Sequence, residues 1–573
     1  MSVRFRIESL WRKNMEYTKE SLQKQKSADK LFNFRPMLFC AISLCFGIVF
    51  SYLQIHEGAS AWWLMLWLPL GALPFCFCST KKKAKGVAFT VLALFVSFFI
   101  GYNAFSAQLQ DFTACGRYDG IYTAQGRVVD ATLYEDVVKI CLDDVKIGNK
   151  EETGKLIAYL SASFSETVTL SDVILLEGYV KTNTDFFDQY GFVAERIAED
   201  QRYVMYDAES CEIVENRFDL FLFLRARMQK VVQEGMQGDV SAVMLGVLTG
   251  NVSGMDEGLL ENIRFGGIAH IFAVSGMHVG ALYGFCTMLL KKSALKKLPK
   301  IAQGLLLAVL LFFYAGICGF SASILRATTI CLVSYTAKAL GLRSDLLQSL
   351  GFAGIIVLLL SPVSLFCVGF QLSFVSCLGI ALLARPFQNG LENLADKIVM
   401  AFRKNRALPN PEKRRDKSLR PLTIGERIAR SCISFLSVSL SAQVATAPIL
   451  LSSFGYLSGW ALLLNFLFVP LLGVVFSWLL LFVIVGCFLP VSVAAVVLYL
   501  PDLFWSLTLL LFETVDFSSF AVTQLSLSGG GILCYYGACL FLTDKWNITI
   551  KQKICLFSVC AIGFLTSVLV INL

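Results

Sequence analysis

Two histidines, His270 and His278, stand inside an apolar stretch running from Ile268 to Leu290, and Ser275 lies between them. A base beside a hydroxyl is the minimum for nucleophilic catalysis, and a three-residue helical step would bring Ser275 and His278 together. The spacing names no orienting third group and no oxyanion donor, so hydrolysis competes with plain helix hydrogen bonding. A metal is poorly served. Eight residues set the two imidazoles about 80° apart around a helix, unlike the four-residue step of a two-histidine zinc motif, and the third histidine, His56, falls in a separate outer turn. The histidines therefore read as pore-facing or network-forming groups, because hydrocarbon offers no water to satisfy them.

Other polar side chains interrupt other apolar runs. Arg326 sits in GFSASILRATTICLV, Gln371 and Ser373 in VGFQLSF, Gln443 in SLSAQVATAP and Asn465 in LLLNFLFVP. A guanidinium at membrane depth costs a few kcal/mol on insertion scales, so Arg326 either snorkels to the outer interface or forms a cationic wall for an anionic substrate. Each amide serves as interhelical glue or as part of a shared polar pathway. Within the histidine stretch, Gly276, Gly280 and Gly284 repeat at four-residue spacing and predict a stripe on which another backbone packs, leaving the polar face to line a conduit.

These residues need a membrane scaffold to position them. The chain has 573 residues, is 56% hydrophobic and only 16% charged, with a mean hydropathy of +0.65. Apolar runs of bilayer length predict about 13 spans, near 36–54, 60–78, 87–106, 268–290, 301–318, 321–340, 345–360, 364–384, 428–452, 460–486, 490–515, 527–543 and 554–571. Pro470 and the Pro501-Asp502 pair suggest broken or re-entrant helices. Residues 1–35 form a basic N-terminus with no removable signal, and the lysines from Lys81 to Lys85, KKSALKKLPK at 291–300 and the 385–423 loop mark the cytoplasmic side.

One polar domain, 112–215, interrupts the spans. Its alternating segments IYTAQGRVVDATLY, VVKICLDDVKIG, GKLIAYLSA and DVILLEGYVKTN predict five or more strands closing as an all-β, OB-like barrel, with FFDQYGFVAERI as a short helix before a returning strand. Gly116 to Glu215 holds 9 basic and 20 acidic residues, a net of −11, and the span count places it outside the cytoplasm. Of 18 cysteines only Cys115, Cys141 and Cys211 lie here, allowing one disulfide of undetermined pairing. Tyr118, Tyr122 and Tyr159, with Arg127 and Lys139, are candidates for stacking on and pairing with single-stranded nucleic acid. Buried strand aromatics are the competing explanation. The next segment, 216–237, reads as an amphipathic interfacial helix.

The pieces LGVLTGNVSG, FGGIAHIFAVSGMHVG, GFSASILRATTI, GFQLSFVSCLGIALL and LSAQVATAPILLSSFGYLSGWALLLNFLFVPLLG, in this order between about 240 and 480, resemble the ComEC family of competence DNA-uptake channels. The resemblance extends more weakly to three leading helices at 36–106 and the OB-like domain. It implies a helical channel domain over 238–515, further membrane helices over 516–573, and passage of one strand of transforming DNA into the cytoplasm. The implied partners are a surface DNA receptor, a cytoplasmic helicase and the lipid bilayer of the cell membrane, with no cofactor and no enzymatic activity. Many members end in a metallo-β-lactamase-like domain; this sequence, with three histidines in all, is expected to lack it. An intramembrane serine hydrolase using Ser275 and His278, or a small-solute transporter, is the alternative.

Overall fold

The computed structural model describes residues 35–57, 84–134, 137–161, 169–188, 191–236, 238–252, 254–272, 275–292, 294–342, 345–404, 424–488, 491–523, 527–543 and 549–572. The expectations for the N-terminal 34 residues, the span at 60–78, the lysines at 81–83 and the segment 405–423 lie outside them. The chain divides into two compact units, one of Met37–Val375 with Ser453–Gln524, the other holding Ser376–Ser452 and the C-terminal helices.

In the first unit, α1 (Pro36–Glu57) and α2 (Ala84–Thr113) pack backbone against backbone. A Cβ on Gly47 would strike the Phe98 carbonyl, and one on Gly101 the Leu44 carbonyl. This is a small-residue helix seat of the kind membrane packing favours, and its glycines were not singled out by sequence.

The polar domain is a closed five-stranded barrel of β1 (Asp119–Tyr134), β2 (Val137–Ile147), β4 (Lys155–Ser161), β5 (Asp172–Thr182) and β8 (Gln201–Asn216), with a two-residue β3 (Lys150–Glu151) beside β2. The order is β1-β5-β8-β4-β2, closed by β1 pairing with β2, and β4 and β8 run parallel. Period-two alternation drives it: Val138, Ile140 and Leu142 point inward with Leu156, Ala158, Leu176 and Met205. Cys115, Cys141 and Cys211 are all free thiols in the structure. The FFDQYGFVAERI piece is mostly not helical. It makes a hairpin of β6 (Phe187–Asp188) and β7 (Gly191–Phe192) and then a five-residue α3 (Ala194–Ala198), whose Ala194 and Ile197 bury against Phe105, Phe112, Val363 and Phe370.

Next comes α4 (Leu220–Gly235), capped by Asp219, which accepts the Phe221 and Leu222 N–H groups at 2.9 and 3.1 Å. One face of α4, with Met228, Val231 and Val232, enters the main helical core, while Phe218, Leu220 and Phe223 stay exposed. The short α5 (Asp239–Thr249) and α6 (Glu257–Gly266) follow.

The Ile268–Leu290 stretch, expected as one spanning helix, is two pieces, α7 (Ala269–Phe272) and α8 (Gly276–Lys292). Then come α9 (Lys300–Ile317), α10 (Ala322–Ala339) and α11 (Leu346–Leu360). The first turns of α12 (Val368–Lys404) complete this part of the unit. The expected loop after residue 384 is helix as far as Lys404, straight through Pro386. In the second unit, α13 (Ile424–Phe454) contains Pro448.

Back in the first unit, β9 (Tyr456–Ser458) leads to α14 (Ala461–Gly486), α15 (Val491–Thr514) and β10 (Ala521–Thr523), which pairs with β9. Pro470 and Pro501 lie inside α14 and α15 without breaking them, as membrane helices allow when neighbours take up the freed carbonyl. The C-terminal pair, α16 (Gly529–Leu542) and α17 (Ile550–Asn572), belongs to the second unit.

Among the described residues seven helices are long and apolar enough to cross a membrane, against the 13 spans expected, and α5, α11 and α16 are shorter apolar helices.

Candidate functional site

The start of α8 explains why the apolar stretch breaks. Ser275 precedes the first helical residue, its hydroxyl accepts the Met277 N–H at 3.3 Å, and its own N–H donates to His278 Nδ1 at 3.0 Å. This is a capping box with an imidazole in the position where glutamate usually reaches back. A ring nitrogen that accepts carries no proton, so in the neutral ring the proton is on Nε2. Nε2 is buried and has no hydrogen-bond partner among the described residues. The ring stands edge-on to Phe476 at 4.6 Å. Ser275 Oγ does approach His278 Nδ1, at 3.2 Å, but that nitrogen is already engaged by backbone.

Directly behind the cap lies Arg326. It is 5% exposed, so it does not snorkel to an interface. Its Nη1 donates to the Ser373 carbonyl at 2.8 Å, and the guanidinium lies over the Phe374 ring at 5.8 Å. A Cβ on Gly276 would come within 2.6 Å of Arg326 Nη2. Ser323 and Ser373 hydroxyls meet at 3.1 Å. The N-terminus of α8, the first turns of α10 and the first turns of α12 thus converge on one buried cation.

Further along α8 the expected roles of the two faces are exchanged. Only Gly276 sits against a neighbour; around Gly280 and Gly284 nothing among the described residues lies within 4 Å of where a Cβ would be. His278, two residues and so about 200° around from Gly276, is on the packed face with Val279 and Phe476 in the core. Beyond Gly276 the glycine face has no described neighbour, and the histidine face is filled, with the imidazole used to start the helix.

The remaining polar candidates are placed individually. Gln371 donates to the Leu365 carbonyl at 3.1 Å and so closes the turn before α12. Gln443, in the second unit, donates to Ser439 of its own helix at 3.4 Å. Asn465 is buried on α14, with Oδ1 lacking a hydrogen-bond partner among the described residues. His270 is exposed on α7.

On the barrel, several of the candidate nucleic-acid contacts serve internal structure. The Tyr118 hydroxyl donates to Glu152 at 2.7 Å, and Glu152 also accepts from Tyr203 at 2.9 Å and the Gly116 N–H at 3.0 Å, with Lys150 at 3.2 Å. Burial alone would raise the Glu152 carboxyl, but these donors outweigh it and bring it down to about 2. Burial and the same carboxylate push Tyr118 up to about 12. Tyr122 packs edge-on to Tyr118 at 5.2 Å. Arg127 is held by Asp219 at 3.4 Å and by Asp143 and Asp144 at 3.6 Å. Lys139 and Tyr159 are cross-strand partners on the outer surface.

Sequence reasoning missed Arg202, which ties the barrel to α2. It is 3% exposed and reaches Asp111 through the carboxylate and the carbonyl, both at 2.7 Å, and Asp200 at 2.7 Å. Its only trace in the sequence was a basic residue at the second position of β8, just after the Glu199-Asp200 pair.

The competence protein family matches residues 247–547, more than half the chain and including all of α8, α10 and α14. ComE operon protein 3 of Bacillus subtilis (strain 168) is 25% identical over 201 residues, 35% of this chain, and the aligned region spans only 25% of that relative's own length. No solved structure matches the chain. With the match covering the helices that build the cap, the buried cation and the open glycine face, the chain belongs to the competence protein family.

Proposed function

We propose that the chain is a multi-pass channel that passes single-stranded DNA across the cell membrane into the cytoplasm, with an OB-like barrel on the outer side and the N-terminus inside. The observation that carries this reading is the buried Arg326 guanidinium at the head of a helix face left open at Gly280 and Gly284. A fixed cation one helical turn from a face with no described neighbour suits a polyanion that is drawn in and then slides past small residues. Family membership supports the DNA, and a surface receptor and a cytoplasmic helicase are the partners the resemblance implies. The barrel circuit, with its parallel β4 and β8, supports the OB-like assignment.

The path is bounded by Ser373 and Arg326, while Gln371 closes the turn before α12 and Gln443 bonds within its own helix. In the rival reading Ser275 is a hydrolytic nucleophile; its support is the 3.2 Å contact with His278. The capping bonds favour a structural serine, for which a serine-directed probe would leave Ser275 unlabelled.

The test is to lengthen the side chain where there is room. A Cβ at Gly280 or Gly284 would meet no described neighbour within 4 Å, so with Gly280→Leu and Gly284→Leu the protein should accumulate normally while entry of labelled DNA falls at least tenfold with surface binding retained. Arg326→Gln should lower entry and flatten its salt dependence by about 0.7 in logarithmic slope, the value for one phosphate contact on a single strand. Full DNA entry in the two leucine variants, at normal protein level, would remove the glycine face from the path.

A further inference from the structure

The barrel turns an aromatic row outward. Strand register sets Ile121 beside Tyr179, Tyr179 beside Tyr206, and Tyr159 beside Lys139. The Tyr159 and Tyr206 rings close the row, stacked at 6.0 Å with 11° between planes. One band therefore crosses β1, β5, β8, β4 and β2. Ile121 is 74% exposed, Tyr206 44% and Tyr179 41%. Apolar and aromatic area of this kind, continuous across β1, β5, β8 and β4 and ending at Lys139 on β2, is what interaction surfaces present.

Charge decides the occupant. The domain carries a net of −11, and its cations Arg127, Lys146, Lys150, Arg196 and Arg202 are engaged by carboxylates of the same fold. Beside the row, Asp119 accepts the Tyr179 hydroxyl, Glu177 lies two residues from Tyr179 on the same outward face, and Asp207 follows Tyr206 at the surface. Arg117, Lys139, Lys155 and Lys181 are the basic exceptions. A polyanion draws most of its affinity from Lys and Arg that neutralise phosphates, which this surface mostly spends internally.

We propose that this face docks a basic segment of a partner protein, with Lys and Arg side chains over the tyrosine rings and the carboxylates alongside. The proposal goes beyond the channel reading and does not depend on it, because docking is read on the resting protein without DNA entry.

The experiment uses the full-length protein in lipid nanodiscs and three labelled probes: oligo-arginine, oligo-glutamate and oligothymidine. Oligo-arginine should bind best, with salt-sensitive affinity. The paired change Tyr179→Ala with Tyr206→Ala should weaken it about fivefold, within the range of two lost cation–π contacts. Tyr179→Leu with Tyr206→Leu, which keeps apolar bulk in the strands but no π face, should weaken it similarly, and Tyr179→Phe with Tyr206→Phe should preserve it. Oligo-arginine binding unchanged in the leucine pair overturns the proposal. So does preferential binding of oligothymidine that the leucine pair abolishes, which would assign the row to nucleic acid.

Discussion

Replacing Glu152 by Gln tests whether one carboxylate organises the base of the barrel. The Glu152 side chain is 5% exposed and collects two tyrosine hydroxyls, one backbone N–H and an ammonium, all between 2.7 and 3.2 Å. Hydrogen bonds to a charged group contribute about 1.5–3 kcal/mol each when singly broken. Gln keeps one acceptor oxygen but presents an NH2 where a donor already points. Loss of the charge and of one or two of these bonds should therefore cost the barrel about 2–4 kcal/mol, equivalent to roughly 30- to 1,000-fold in an opening equilibrium.

Hydrogen exchange of the solubilised protein, read on peptides from β1, β2 and β4, reports that opening directly. The pH dependence supplies a second signature. The folded carboxyl lies at about 2 against an ordinary 4.5, so its contribution is fully present above the ordinary value and disappears as pH falls through the folded one. Wild-type protection should decline between about pH 4.5 and 2, and Glu152→Gln should remove that part of the slope. Equal protection in the variant at neutral pH, or an unchanged slope below pH 4.5, would refute the assignment of the base to Glu152.

Two further perturbations follow from the helices. Pro448 in α13 cannot donate to the Val444 carbonyl, and the Tyr535 hydroxyl of α16 fills that vacancy at 2.6 Å. Tyr535→Phe should cost about 1 kcal/mol in thermal unfolding, and much less in a Pro448→Ala background where the backbone N–H returns; equal costs in both would separate the tyrosine from the proline. Gly47→Leu should sharply reduce yield and thermal midpoint, since even its Cβ collides with the Phe98 carbonyl, at more than the 1–3 kcal/mol typical of core overpacking. Normal yield and melting of that variant would contradict the close approach of α1 and α2.

The barrel was legible because its signal is local: Val138, Ile140 and Leu142 alternate with polar neighbours, and the pleat sends alternate residues inward. The helices were legible as apolar length. The break before Gly276 was not, because hydropathy averages over Ser275 and His278 and is blind to a reciprocal cap. The same blindness worked in reverse at Pro470 and Pro501, where a residue that breaks helices in water is carried inside one. Arg326 could be flagged as costly from its surroundings, but its burial depends on Ser373 and Phe374, 47 and 48 positions away, and no pattern along the chain encodes that meeting. The glycine spacing was correct as a stripe and misleading as a contact, since spacing fixes which residues share a face and leaves open what lies opposite.

The barrel is fastened at three places: Arg202 to Asp111 at the end of α2, Arg225 to Asp130 with Arg127 to Asp219 at the start of α4, and Ala194 with Ile197 against the turn around Val363. A body held at three separate places is more restrained than a domain on a tether. A load on its outer surface is therefore passed first to α2 and α4, whose ion pairs hold it.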